Sequence, residues 1–176
     1  MTLSQKIIAI HKALEGADVP HAFGGALALA WCTERARGTI DIDLNVFADR
    51  EHLDKVIAAM PAEVRRDPAA LAHLARDGQA RLWWDQTPID LFLSTTPFHD
   101  EVSRRVHVEP FAGSQVPFVS CVDLAVFKAF FDRTRDWADL EEMARAGTLD
   151  RERVLGVLVD YLGGDDPRIE RLRDLR

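Results

Sequence analysis

The stretch from Ile40 to Phe47 alternates: Ile40, Ile42, Leu44 and Val46 fall on one side, Asp41, Asp43 and Asn45 on the other. A period of two is that of a β-strand, so the segment predicts a strand with one apolar and one polar face. Its polar face carries the chain's sharpest chemical feature. Asp41 and Asp43 are two apart, which sets their Cα atoms about 6.5–7 Å from each other on one side, close enough for both carboxylates to converge on a divalent cation. The other reading of Asp-x-Asp is a solvated strand face. An EF-hand loop is excluded, because Val46 stands in the glycine slot and His52 in the final glutamate slot.

The flanking sequence predicts mixed α/β structure. Ile7, Ile8, Ile10, Ala13 and Leu14 recur at helical spacing behind Thr2 and Ser4 and stop at Gly16. Val19 to Phe23 reads as a short strand, Gly24-Gly25 as a turn, and Ala26 to Cys32 as a buried helix. Arg50 to Met60 is helical by period. Asp67-Pro68 opens a further helix that Gly78 closes. Gln79–Asp85 and Pro88–Thr95 form an expected hairpin, and Val106–Val108 and Val116–Val119 weaker strands around Ala112-Gly113-Ser114. Beyond them the chain turns helical, with Ser120, Asp136 and Asp150 as expected N-caps and Phe127, Phe130 and Phe131 as core. The expected organisation is an α/β core over residues 1–120 and a C-terminal helical segment over 121–176 packed on it as one compact unit.

Composition narrows the function classes. The 176 residues are 47% apolar, enough for a globular core, and carry a formal charge of −7 with a pI near 5.3. No global positive field draws such a chain to duplex DNA or to an anionic membrane surface. The longest uncharged apolar run, Ala22 to Cys32, is about half a membrane span. Cys32 and Cys121 lie far apart with no metal-site spacing and read as buried free thiols, which places the expected location in the cytoplasm.

Two further features bear on the carboxylate pair. Glycines at a strand-to-helix turn let a ligand approach the backbone, and the first helical N–H groups suit a phosphate. Gly24 and Gly25 fit that role or a purely structural one. Asp90 places a third acid on a separate strand, on the parity opposite Ile89, Leu91 and Leu93. Gly24-Gly25, then Arg37-Gly-Thr39-x-Asp41-x-Asp43, then Asp90 in that order resembles the nucleotidyltransferase superfamily that includes DNA polymerase β. "FGGALALAW", "RGTIDIDLNVF" and the downstream "DLAVFKAFFDRTRDWADLEEM" look most like the small bacterial AbiEii-type toxins and antibiotic nucleotidyltransferases. The resemblance spans roughly Val19 to Met143.

The resemblance implies a mixed β-sheet flanked by helices and transfer of a nucleoside monophosphate from an NTP to an acceptor hydroxyl with loss of pyrophosphate. It implies that Asp41, Asp43 and Asp90 bind two Mg²⁺ ions, which Mn²⁺ can replace, and act as the catalytic carboxylates in one metal-sized cluster beside the glycine turn. Gly24, Gly25, Arg37, Thr39 and Lys128 would hold the nucleotide. Lys128 also fits a snorkelling lysine, and Arg133, Arg135, Asp136 and Asp139 fit structural ion pairs. The acceptor could be tRNA, a protein hydroxyl or an aminoglycoside-like small molecule. An antitoxin is a possible partner, and a non-catalytic nucleotide-binding or toxin–antitoxin protein of the same fold is the alternative reading.

Overall fold

A computed structural model describes residues 1–35 and 38–175, which divide into two compact units. The first comprises Met1–Leu27 and Gly38–Val119; the second comprises Ala28–Arg37 and Ser120–Arg176.

The first unit opens with α1 (Leu3–Gly16), started by a capping box. Thr2 Oγ1 accepts from the Gln5 N–H at 3.3 Å, and Gln5 Oε1 accepts from the Thr2 N–H at 2.9 Å. The strands follow as β1 (His21–Phe23), β2 (Ile42–Val46), β3 (Val64–Arg65), β4 (Gln79–Trp84), β5 (Thr87–Leu93), β6 (His107–Phe111) and β7 (Ser114–Phe118). They form one mixed sheet in the order β3-β4-β5-β2-β1-β7-β6. β2 is its centre, antiparallel to β1 and parallel to β5: Ile42 pairs with Ile89, Leu44 with Leu91 and Val46 with Leu93, all fully or almost fully buried. Each such side chain removed from water stabilises the fold by about 1.5–3 kcal/mol before entropy is counted. The same register sets Asp43 beside Asp90 on the opposite face.

The helices α3 (Leu53–Ala59), α4 (Pro68–Asp77) and α5 (Pro97–Arg104) complete the first unit, and α2 (Gly25–Thr33) begins in it and belongs to the second from Ala28 on. Asp67 caps α4 through the N–H groups of Ala69 and Ala70, and Gly78 ends it in the left-handed conformation. β3 and α5 escape the sequence because the first is two residues long and the second is strongly polar. Arg50–His52 form a 3₁₀ turn before α3. Ile40 stands 76% exposed ahead of β2, so the alternation overreaches the strand at that end.

The second unit holds α6 (Cys121–Phe131), α7 (Thr134–Ala146), α8 (Arg151–Leu162) and α9 (Pro167–Asp174) around Leu124, Ala129, Trp137, Leu140, Leu158 and Leu172. Three expectations are corrected here. Cys32 and Cys121 are joined as a disulfide, with their Cα atoms 5.6 Å apart, because the end of α2 meets the start of α6. The thiol reading fails, and with it the inference of a reducing compartment. Asp136 sits at the third position of α7 rather than at its cap: its carboxylate accepts from the backbone N–H and Nε of Arg133, the capping residue. Phe131 is 42% exposed at the end of α6, where its ring lies under the Arg133 guanidinium at 4.8 Å.

Candidate active site

The site is built on one end of the sheet face opposite the aliphatic core. β1 runs into Gly24, whose N–H donates to the Asp43 carbonyl at 2.9 Å. Gly25 begins α2 with φ +54°, and a Cβ there would drive into the Asp43 carboxylate. A side chain at Gly25 is therefore excluded twice, by backbone conformation and by space. At Gly24 a Cβ would come within 2.9 Å of Asn45 Nδ2. Gly25 thus leaves room for Asp43 to lie against the start of α2, and Gly24 leaves room for Asn45.

Asp43 and Asp90 are direct neighbours across β2 and β5, and Asp41 precedes them at the mouth of β2. Thr39 fixes the approach to Asp41: its hydroxyl accepts from the Asp41 N–H and donates to the Asp41 carbonyl, each at 3.2 Å. The expected acids therefore share one face with the glycine turn. Arg37 lies outside the described residues.

One residue that motif reading does not single out dominates the geometry. Arg81 lies opposite Asp90 in the β4–β5 hairpin, and its Nε and Nη2 donate to the two Asp90 oxygens, both at 2.7 Å. Its Nη2 also lies 3.7 Å from Asp41 Oδ2. Hydrogen bonding to Asp90, then the charges of Asp90, Asp41 and Asp43, hold the guanidinium more firmly protonated than usual. The register could have revealed it, because a hairpin closed at Trp84 and Thr87 must place residue 81 across from 90.

The compact three-carboxylate cluster expected from the sequence is modified accordingly. Among the described residues no three His, Cys, Asp or Glu side chains stand close enough to hold a metal ion. Asp90 and Asp41 instead turn to Arg81. The residues still suit Mg²⁺: they are hard oxygen donors on one face, and a guanidinium already rests among them as a positive charge.

Lys128, in the second unit, is buried and donates to Asp139 Oδ2 at 2.6 Å, with Asp136 Oδ1 at 3.9 Å. Arg133 completes this group with 2.6 Å to Asp136. These contacts join Lys128, Arg133, Asp136 and Asp139 in one ion-paired group of α6 and α7. No helix among the described residues is long and apolar enough to cross a membrane.

No family model matches the chain, and no curated protein matches it. Solved structures do. The antibiotic-resistance factor ANT(2'')-Ia in solution superposes with a TM-score of 0.63 at 16% identity, covering 90% of each chain. The same protein in complex with adenylyl-2''-tobramycin gives 0.58 at 17% identity, over 98% of this chain and 95% of that one. The lincosamide antibiotic adenylyltransferase LnuA, bound to lincomycin, gives 0.55 at 13% identity, over 81% of this chain and 96% of its own. With its seven-stranded mixed sheet and flanking helices, the chain has the nucleotidyltransferase fold.

Proposed function

We propose that the chain is a metal-dependent nucleotidyltransferase that moves a nucleoside monophosphate from an NTP to an acceptor hydroxyl and releases pyrophosphate. The observation that carries this reading is the register that sets Asp43 beside Asp90, with Asp41 at the strand mouth and the Gly24-Gly25 turn against Asp43.

The chemistry follows from those positions. The bare Cα atoms of Gly24 and Gly25 let a triphosphate approach the start of α2, where backbone N–H groups and the helix dipole favour negative charge. Asp41, Asp43 and Asp90 would hold Mg²⁺, which when bound neutralises the phosphates and polarises the reacting phosphorus. Asp90 accepts the proton of the acceptor hydroxyl. The oxygen so freed forms a bond to the α-phosphorus, and the bond from that phosphorus to the bridging oxygen breaks, so that the leaving pyrophosphate carries the electron pair. Thr39 keeps Asp41 in place through its two backbone contacts.

The test is incubation with each α-labelled NTP and Mg²⁺ alongside separate pools of tRNA, cell protein and aminoglycosides. Label should enter one pool with the wild-type chain and none with Asp43→Asn. Nucleotide binding without label in any pool would return the chain to the non-catalytic reading.

A further inference from the structure

Arg81 holds both oxygens of Asp90 in a two-pronged contact and reaches toward Asp41. While that contact lasts, Asp90 cannot offer those oxygens fully to another cation or to an acceptor proton. Such a pairing has an evident benefit in the ligand-free chain, because carboxylates that face one way repel each other and a guanidinium among them offsets the repulsion. Yet the pair is not sealed. The Arg81 side chain is 46% exposed, and Arg81 also lines a cleft of about 610 Å³ with Arg65 and Trp83, which gives the guanidinium room to turn. Ion pairs this open to water are weak, so a doubly charged ion with better-matched ligands can outcompete them.

We propose that Arg81 is a displaceable counter-cation: it closes Asp90 and Asp41 in the ligand-free chain, yields them to a divalent cation, and turns its guanidinium to the anionic oxygens of the nucleotide. The inference rests on the nucleotidyltransferase reading and deepens it by naming the residue that couples cation entry to phosphate binding. No covalent bond changes in the exchange. The charge that enters exceeds the charge that leaves, and the triphosphate offsets the difference. A guanidinium suits the second task, since its planar fork matches phosphate oxygens as well as it matches a carboxylate.

The test reads cation binding directly. Free Mn²⁺ is followed by electron paramagnetic resonance as it titrates wild type, Arg81→Gln, Arg81→Lys and Asp90→Asn without nucleotide, with thermal unfolding as a check on folding. Removing the competitor should tighten Mn²⁺ binding to Arg81→Gln by up to about fivefold, the scale of one such ion pair. Arg81→Lys, which keeps the charge and loses the fork, should fall between, and it carries the test if Arg81→Gln does not fold. With Mn²⁺ saturating, Arg81→Gln should bind a non-hydrolysable NTP analogue more weakly than wild type. Equal Mn²⁺ affinity in wild type and both Arg81 variants would overturn the displacement and leave the nucleotidyltransferase reading standing. Absence of Mn²⁺ binding in all four proteins would overturn that reading as well.

Discussion

Gly25 joins a backbone requirement to a contact with the acidic face. Alanine there must adopt a left-handed φ, at about 1–2 kcal/mol, and must push the Asp43 carboxylate aside. Gly25→Ala should therefore lower the urea midpoint and also weaken Mn²⁺ binding; a variant that loses stability while it binds Mn²⁺ as wild type does would separate the glycine from the site. His21 offers a second test at this scale. Its Nδ1 must carry a proton toward the Val19 carbonyl at 2.8 Å, so its Nε2 accepts from His11 Nδ1 at 3.0 Å when His21 is neutral. Burial, followed by the neighbouring His11, holds the His21 pKa below 6.5. The folded state thus binds fewer protons than the unfolded one. Stability is complete above about pH 6.5 and falls as the pH drops below it. Denaturation midpoints between pH 7.5 and 5.5 should decline, and His21→Gln should flatten the decline; a rise toward pH 5.5 would contradict the assignment.

At the scale of elements, caps and buried pairs set the energies. Asp67→Ala removes two contacts to the first N–H groups of α4 and should cost about 0.5–2 kcal/mol in chemical denaturation, without effect on nucleotide binding. Lys128→Ala should cost more, about 3–5 kcal/mol, because it strands the buried Asp139 carboxylate that Lys128 neutralises in α7. A loss below about 1 kcal/mol would contradict this structural function. The sequence resolves such elements unevenly, and for physical reasons. β2 announces itself because both of its faces are chemically pure where it pairs. α4 does so because Asp67, Pro68 and Gly78 mark both ends. α5 and α9 are short and polar, so their helicity rests on packing of two or three residues that no local period reveals. The cap of α7 is misassigned because Asp136 serves equally well at the cap or three positions after it, and only the Arg133 contact decides.

For the whole molecule, what stays hidden in the sequence is whatever depends on distant residues meeting. Cys32 and Cys121 are 89 positions apart and bonded. Their pairing should show as a mass difference after alkylation with and without reductant. The carboxylates were legible one by one, from strand parity, and their shared face follows from parallel pairing of β2 with β5. Arg81 was not, because its importance lies in the partner strand rather than in a motif. The proposed function requires that this face bind a cation and a triphosphate together. It is tested most directly by a crystal structure with Mn²⁺ and a non-hydrolysable NTP, the ions located by anomalous scattering. Mn²⁺ should be coordinated by Asp43 and Asp90, the triphosphate should lie against Gly24-Gly25, and the Arg81 guanidinium should be off Asp90 and on phosphate. Nucleotide bound elsewhere, with the Arg81–Asp90 fork intact, would contradict it.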